Sequence, residues 1–244
     1  MALMSLTFSD VYTKVSEFLG FGSSPTGTNL TKCKDLVYRG YRRFLFPTMS
    51  DTNKIYTWSF LRNTSVINTV VSQAYVDLPK EMMSLVSGFK FISGENKTNP
   101  IKISMALLKH RQSITSVTGL PLYYAIRPPD YELTDESVYR VYFSPTPDAV
   151  YSYSYEYVRN PEKPTSDSDY FVGGTLASEV ILESALAEAE VQEDDNVGVH
   201  QTKAKMLIES FVEHDKKYSP TIDEFDTEMS LYIPKHRLMP KAQV

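Results

Sequence analysis

The sequence is poor in the residues that build covalent, metal-bound or membrane-spanning structures. It contains one cysteine and four histidines in 244 residues. The single Cys33 excludes an intrachain disulfide, and its helical spacing from Leu36 and Val37 predicts a small core residue. No apolar run approaches the ~20 residues that span a bilayer, and the N-terminus lacks the basic start of a signal peptide. We therefore expect a soluble protein that is not exported by a signal.

Motifs of the common enzyme classes are also missing. The chain has no Walker loop, no G-x-G-x-x-G turn and no G-x-S-x-G elbow. The acidic run at residues 193–195 lacks the spaced oxygens and turn glycine of a calcium loop. No zinc-type spacing connects the histidines, which are His110, His200, His214 and His236. The sequence predicts a structural protein that is not an enzyme and has no metal or cofactor.

Charge is distributed unevenly along the chain. Residues 1–160 hold 17 Lys and Arg against 13 Asp and Glu, residues 161–230 hold 5 against 17, and residues 231–244 hold 3 against none. The acidic block disfavours a DNA-reading domain, because affinity for duplexes depends on Lys and Arg contacts to phosphates. The acidic block has two interpretations. It forms the wall of a channel past which DNA slides, or it is an ordinary solvent-exposed helical face.

The first 50 residues predict two amphipathic helices. Thr7, followed three residues later by Asp10, has the form of a capping box at the start of the first helix. The second helix is predicted from about Asn29, as its N-cap, to Phe46, because Pro47 stops it. The basic residues on its polar face suit the negative end of the helix dipole, or a contact with an acidic neighbouring subunit.

Between residues 55 and 159 the apolar pattern changes to the alternation of β-strands. The segment predicts strands at 57–62, 65–71, 85–91, 122–127, 138–143 and 150–158, and a short helix at 104–111. Two prolines and Asp148 separate the last two strands, which predicts that these strands form a hairpin.

Four tyrosines alternate along the last of these strands. Because every second residue shares a face, Tyr151, Tyr153, Tyr155 and Tyr157 lie on one side of the sheet. A nucleic-acid platform would need interleaved Lys or Arg, and a sugar-binding face would need acidic or amide partners. The opposite face reads Ser-Ser-Glu-Val, so the stripe favours a core or a subunit contact.

Two more helices follow Pro164. The first has Thr175 as its predicted N-cap and a break at 193–198, and the second spans about 199–217. The apolar stripe predicted for the first consists of Leu176, Val180, Ile181, Ala185, Leu186 and Ala189.

Helices at both ends of the chain predict a single bundle into which the β-region is inserted. We therefore predict an α+β fold. Its parts are bundle helices at 1–50 and 161–219, an inserted antiparallel β-domain at 51–160 and an extended C-terminal arm at 220–244. The arm has apolar residues without helical periodicity, which favours a segment that orders on another subunit.

Four segments occur in a fixed order and carry a resemblance. They are Gly-Tyr-Arg-Arg-Phe-Leu-Phe-Pro at 40–47, Tyr-Thr-Trp-Ser-Phe-Leu-Arg at 56–62, Tyr-Val-Asp-Leu-Pro at 75–79 and Gly-Leu-Pro-Leu-Tyr-Tyr-Ala-Ile-Arg-Pro at 119–128. The first segment ends a basic helix at a proline, and the other three are β-type segments. This order resembles the pattern of tailed-phage head-to-tail adaptor proteins. That group includes relatives of the tail tubular protein of short-tailed coliphages. The resemblance covers about residues 5–217.

The resemblance implies a structural protein of the virion neck, assembled in the host cytoplasm. Such adaptors form an oligomeric ring, here expected to be dodecameric, between the portal protein and a downstream nozzle or stopper protein of the tail. The ring continues the DNA channel, is passed by DNA without sequence preference and contacts no membrane.

The resemblance also implies residues for these contacts. Trp58, Phe60 and Leu61 are expected to pack the joint between the bundle and the sheets. The arm is expected to contact the portal or a neighbouring subunit through Phe225, Leu231, Tyr232, Ile233, His236, Arg237 and Leu238. The charge distribution, independently of the resemblance, predicts the channel-facing residues within the acidic block. They cluster at the end of one predicted helix and the break after it, and they are Glu188, Glu190, Glu193, Asp194 and Asp195.

Two other functions fit the same composition. One is a different non-catalytic component of a phage tail or baseplate. The other is a carbohydrate-binding β-module that would use the faces of Tyr153 and Tyr155.

Overall fold

The computed structural model describes residues 4–49, 53–92, 98–114, 117–127, 138–194 and 198–218. These residues form two compact units. The helical unit comprises the described residues up to Ser59 and from Thr165 onward, and the β-unit comprises those within Phe60–Pro164. Helices and sheets are both major components, which confirms the α+β class. The arm predicted at 220–244 lies outside the described residues.

Four helices form the helical unit. They are α1 (Phe8–Phe18), α2 (Gly27–Leu45), α4 (Gly174–Asp194) and α5 (Val199–Tyr218), while α3 (Met105–Ile114) belongs to the β-unit. Both ends of the sequence supply helices to the same unit, because α2 packs against α4 and α4 packs against α5.

The start of α1 confirms the predicted capping box. The Thr7 hydroxyl accepts a hydrogen bond from the Asp10 backbone N–H at 3.2 Å, and the Asp10 carboxylate accepts one from the Thr7 N–H at 2.8 Å. The predicted start of α2 at Asn29 is wrong. The Thr26 carbonyl accepts the first helical bond, from Leu30 N–H, so the N-cap is Thr26, three residues earlier than expected.

The contact between α2 and α4 depends on small residues. A Cβ atom added to Gly40 would lie 2.5 Å from the Ala185 backbone nitrogen, so the two backbones approach closely only because residue 40 is glycine. The predicted stripe on α4 needs two corrections. Thr175 lies within the helix, which begins at Gly174, and Leu176 is 60% exposed while Ala177 is fully buried.

The β-unit contains eight short strands and α3. The strands are β1 (Arg62–Asn68), β2 (Tyr75–Asp77), β3 (Met82–Leu85), β4 (Lys90–Phe91), β5 (Ile101–Lys102), β6 (Tyr123–Arg127), β7 (Arg140–Ser144) and β8 (Ser152–Arg159). The predicted strand at 57–62 is wrong, because Ser59–Leu61 form a 3₁₀ turn and β1 starts at Arg62. The predicted strand at 85–91 is wrong for residues 86–89, because β3 ends at Leu85 and β4 begins only at Lys90.

The eight strands form two sheets. In one sheet, β8 lies between β1 and the pair β3 and β4, and in the other the order is β2-β7-β6-β5. All pairs are antiparallel except β5 with β6. The predicted hairpin of β7 and β8 is therefore wrong. Each of these strands already has a neighbour on both edges within its own sheet, so the connection between them leads from one sheet to the other.

The core of the β-unit is aromatic. Tyr153, Tyr155 and Tyr157 are at most 2% exposed, which confirms that the tyrosine stripe of β8 is a packing face. Phe143 of the other sheet stacks on Tyr153 with ring centroids 5.7 Å apart. Offset and edge-to-face ring pairs of this kind add stabilisation beyond the apolar area that they bury.

Candidate functional site

The described residues contain no cluster of metal-ligating side chains. No group of three or more His, Cys, Asp or Glu side chains among them is placed to hold a metal ion. Within the same described ranges, no helix is long and apolar enough to cross a membrane. The residues with candidate functions are therefore those that fix the units internally and those that lie on their surfaces.

Trp58 is fully buried within the helical unit. Its ring lies 5.1 Å from the ring of Phe44 on α2 and 5.1 Å from that of Phe211 on α5. The indole N–H donates a hydrogen bond of 2.8 Å to the Phe44 carbonyl, which lies in the last turn of α2, where carbonyls lack helical partners. Leu61 is also buried and Phe60 is half-buried. A function of these residues at a joint between the units stays a prediction.

Asp215 on α5 holds the segment that carries Trp58. Its carboxylate accepts hydrogen bonds from the Tyr56 hydroxyl at 2.8 Å and from the Ser59 backbone N–H at 2.9 Å. The Ser59 hydroxyl donates a third. Because Ser59 donates to Asp215 instead of to a neighbouring strand, the segment turns here and the predicted strand does not form. The sequence analysis missed Asp215, whose only signal is an acidic residue four positions after Phe211 on the buried side of α5.

A second buried carboxylate connects α4 to α5. The Glu183 side chain is 5% exposed and contacts His200 Nδ1 at 2.8 Å and the Lys203 ammonium group. Burial would raise the pKa of Glu183, but the hydrogen bonds from Lys203 and His200 outweigh it and lower the pKa below its usual value. The carboxylate therefore stays ionised and ties the start of α5 to the middle of α4.

Three of the five predicted channel residues are described, and each has a partner inside the helical unit. Glu188 lies 3.6 Å from Arg43, and Glu193 lies 3.2 Å from Lys32. Glu190 accepts hydrogen bonds from the backbone N–H groups of Val199 and His200 at 3.0 and 3.1 Å, and so caps α5. Asp195 and the Asp194 side chain lie outside the described residues. Whether any of the five faces a channel stays a prediction.

The same ion pairs explain the basic face of α2. Lys34 pairs with Asp167 at 3.0 Å, in addition to the contacts of Lys32 and Arg43 with α4. These basic residues therefore have acidic partners within their own chain. A contact of this face with a neighbouring subunit stays a prediction.

The contact residues predicted in the arm are Phe225, Leu231, Tyr232, Ile233, His236, Arg237 and Leu238, and all of them lie outside the described residues. Their function as portal or neighbour contacts stays a prediction.

The comparison with protein families gives one match that spans both units. The model of the SU10 adaptor protein family matches residues 6–222, which include every described helix and strand. No curated protein matches the chain significantly. The match confirms the resemblance carried by the four ordered segments. On this evidence the chain belongs to the SU10 adaptor protein family, and it is a structural head-to-tail adaptor of a bacteriophage virion.

Proposed function

We propose that the protein forms a ring that joins the portal to the tail in the virion neck and continues the DNA channel. The family match over residues 6–222 is the observation that carries this proposal. The partners are the portal protein, a downstream nozzle or stopper protein and further copies of this chain, in a dodecameric ring. Assembly takes place in the host cytoplasm, and DNA passes without sequence-specific contacts.

The helical unit has properties that suit a load-bearing ring. The close approach of α2 and α4 at Gly40 leaves little room for sliding, and Asp215 and Glu183 add directional contacts at two positions on α5. Interiors packed in this way have low compressibility and transmit strain. A ring under the portal must resist the pressure of packaged DNA, so this stiffness supports the proposal.

The arm at 220–244 is proposed to order on a partner surface. Fixing the backbone costs about 1–2 kcal/mol per residue, so the arm needs contacts that an isolated chain does not supply. The free protein is then a monomer or weak oligomer that assembles on the portal. Limited proteolysis tests this: cleavage beyond Pro220 should be fast in the free protein and slow in the complex. Equal resistance in both states would contradict it.

The channel proposal concerns the acidic residues at the end of α4. Because Glu188 and Glu193 are paired and Glu190 caps α5, most of their charge is compensated locally. Any field that the five predicted residues exert on passing DNA is screened over about 8 Å at physiological salt. Replacing Asp194 and Asp195 with Asn keeps the contacts of the three glutamates, so it should leave particles assembled and slow DNA release, most clearly at low ionic strength. Unchanged release from particles that carry the variant ring would contradict the channel role.

Electron microscopy of the purified protein with and without its portal tests the central proposal. Rings should form on the portal and recruit the tail protein. Rings that bind tail protein and ignore the portal would instead indicate another tail or baseplate component. The carbohydrate-binding alternative loses its basis, because Tyr153 and Tyr155 are buried and cannot present their ring faces to a sugar.

A further inference from the structure

An apolar groove lies on the β-unit between α3 and the end of the β6–β7 pair. It has a volume of about 550 Å³ and is lined by residues that include Leu107, Ile114, Val117 and Leu122. These four side chains are 43 to 69% exposed. Exposed apolar side chains are ordinary when scattered, but a contiguous set around a concave surface is typical of a binding site.

The helix that lines the groove is fixed by contacts within the β-unit. Leu108, on the inner side of α3, is fully buried, and the Gln112 side-chain amide donates a hydrogen bond of 3.1 Å to the Phe143 carbonyl. The Arg111 guanidinium lies over the Tyr123 ring at 4.2 Å from its centroid. Both the helix and its charged side chain are therefore positioned before any ligand binds, which lowers the entropy cost of binding.

The groove wall carries the cation Arg111, and the sequence around it is basic. The described residues between Thr98 and Arg127 also include Lys102 and Lys109, and this stretch of sequence contains no Asp or Glu. Among the described residues, no carboxylate forms an ion pair with Lys102, Lys109 or Arg111. This differs from the basic face of α2, where the charges are paired inside the chain.

One segment of the same chain has the complementary chemistry. Residues 220–231 carry four acidic residues and no basic one, and they include the apolar residues Phe225, Met229 and Leu231. Phe225, Met229 and Leu231 supply the apolar side chains that an apolar groove takes up, and the acidic residues lie close to them in sequence. Residues 231–244 have the opposite charge, with three basic residues and no acidic one, so they do not fit a basic groove.

We propose that the groove binds the acidic segment, residues 220–231, of a second copy of this chain. The inference rests on the proposed ring, and it divides the arm into two functions. The acidic first half links neighbouring copies, and the basic end stays available for the portal. A contact of one surface with a different surface on the next copy is heterologous, and contacts of this type close into rings when the rotation between copies permits.

Mixed single-cysteine variants test the contact in the full-length chain. Ile114→Cys and Phe225→Cys are made in separate preparations, mixed on the portal and oxidised. Because Cys33 is fully buried, only the introduced thiols should react. A cross-link in this mixture necessarily joins two copies. Val66→Cys provides the matched control, since Val66 is 53% exposed on β1 and does not line the groove.

The Ile114→Cys and Phe225→Cys mixture should give about tenfold more cross-link than Val66→Cys with Phe225→Cys, as expected for a bound state over random encounter. Equal yields would overturn the proposal. A chain carrying both Ile114→Cys and Phe225→Cys should give little intrachain product on dilution. A predominant intrachain product would mean that the segment binds its own groove, which overturns the part played by the second copy.

Charge reversal tests the electrostatic part. Arg111→Glu should lower the cross-link yield about tenfold or more, and Asp226→Arg on the other copy should restore it. Lys109→Glu, on the exposed side of α3, gives a second variant if Arg111→Glu lowers the melting temperature. Unchanged yields with both variants would overturn the charge argument. Duplex DNA binding that Arg111→Glu abolishes, without any effect on the cross-link, would assign the groove to nucleic acid.

The outcome is separable from that of the proposed function. Rings that form on the portal without the cross-link overturn only this inference. Absence of rings on the portal overturns the proposed function itself.

Discussion

The helical unit and the β-unit are stabilised in different ways. In the helical unit, small residues such as Gly40 and Ala185 allow close backbone contact, and the buried carboxylates of Asp215 and Glu183 fix specific partners. In the β-unit, stacked aromatic rings fill the space between two sheets, and the Tyr153 hydroxyl has no hydrogen-bond partner among the described residues. Directional contacts define one arrangement, whereas an aromatic core depends mainly on buried area. The helical unit should therefore be the less tolerant of substitution.

Trp58→Ala should have the largest effect. The substitution leaves a cavity between Phe44 and Phe211 and removes the hydrogen bond to the end of α2, so we expect a loss of about 3–5 kcal/mol of unfolding free energy. Calorimetry should measure this loss, because the variant lacks tryptophan fluorescence as a probe of unfolding. Leu176→Ala is the control in the same unit, because Leu176 is 60% exposed and should change stability by no more than about 0.5 kcal/mol. A Trp58→Ala melting temperature within a degree of wild type would contradict the packing described above.

Asp215→Ala should rank second. It removes the acceptor of hydrogen bonds from the Tyr56 hydroxyl and the Ser59 N–H in a part-buried site, and losing a hydrogen bond to a charged group costs about 1.5–3 kcal/mol. We expect a total loss of about 3 kcal/mol in urea unfolding. The control is Asp35→Ala, since Asp35 is exposed in a surface pair with Arg39 and such pairs contribute about 0–1 kcal/mol. Equal effects of the two substitutions would show that Asp215 does not anchor the segment before β1.

Gly40→Ala should cost less, about 1–3 kcal/mol, because the added methyl group forces α2 away from α4. Gly119→Ala is the matched control in the β-unit, where a new Cβ meets no atom within 4 Å. Hydrogen exchange should show faster exchange in α2 and α4 for Gly40→Ala and unchanged protection in β8. Faster exchange in both units would contradict their separate stabilisation.

Tyr153→Phe should have the smallest effect, with the opposite sign. The variant keeps the ring and removes a buried hydroxyl that lacks a partner, so stability should stay unchanged or rise by up to about 1 kcal/mol. Tyr157→Phe provides the contrast. The Tyr157 hydroxyl donates to Glu81 at 2.9 Å and accepts from Asn63 at 3.1 Å, so its loss should cost about 1 kcal/mol. Equal losses for the two variants in thermal unfolding would mean that Tyr153 has an acceptor.

Local signals predicted local structure well. The capping box at Thr7 and Asp10 and the tyrosine alternation on β8 depend on residues within one element, and both predictions are confirmed. The hairpin of β7 and β8 was wrong because turn residues show that a chain reverses, but not which strands take up the free edges. Asp215 was missed for a similar reason, since its donors, Tyr56 and Ser59, are more than 150 residues away in sequence. The groove beside α3 was not predicted either, because its apolar lining depends on which side chains stay exposed after folding.

The pairing of β1 with β8 has a consequence for the order of folding. Helices α2 and α4 lie on opposite sides of the whole β-unit in sequence, so their meeting requires closure of a long loop. Arg62 and Val158 are paired residues of adjacent strands, so a folded β-unit already brings the two ends of its own sequence together. This shortens the effective loop roughly fourfold and lowers its closure entropy by about 1 kcal/mol. During synthesis the β-unit is also complete before α4 emerges. If the β-unit folds first, α2 and α4 should therefore meet and form the helical unit faster.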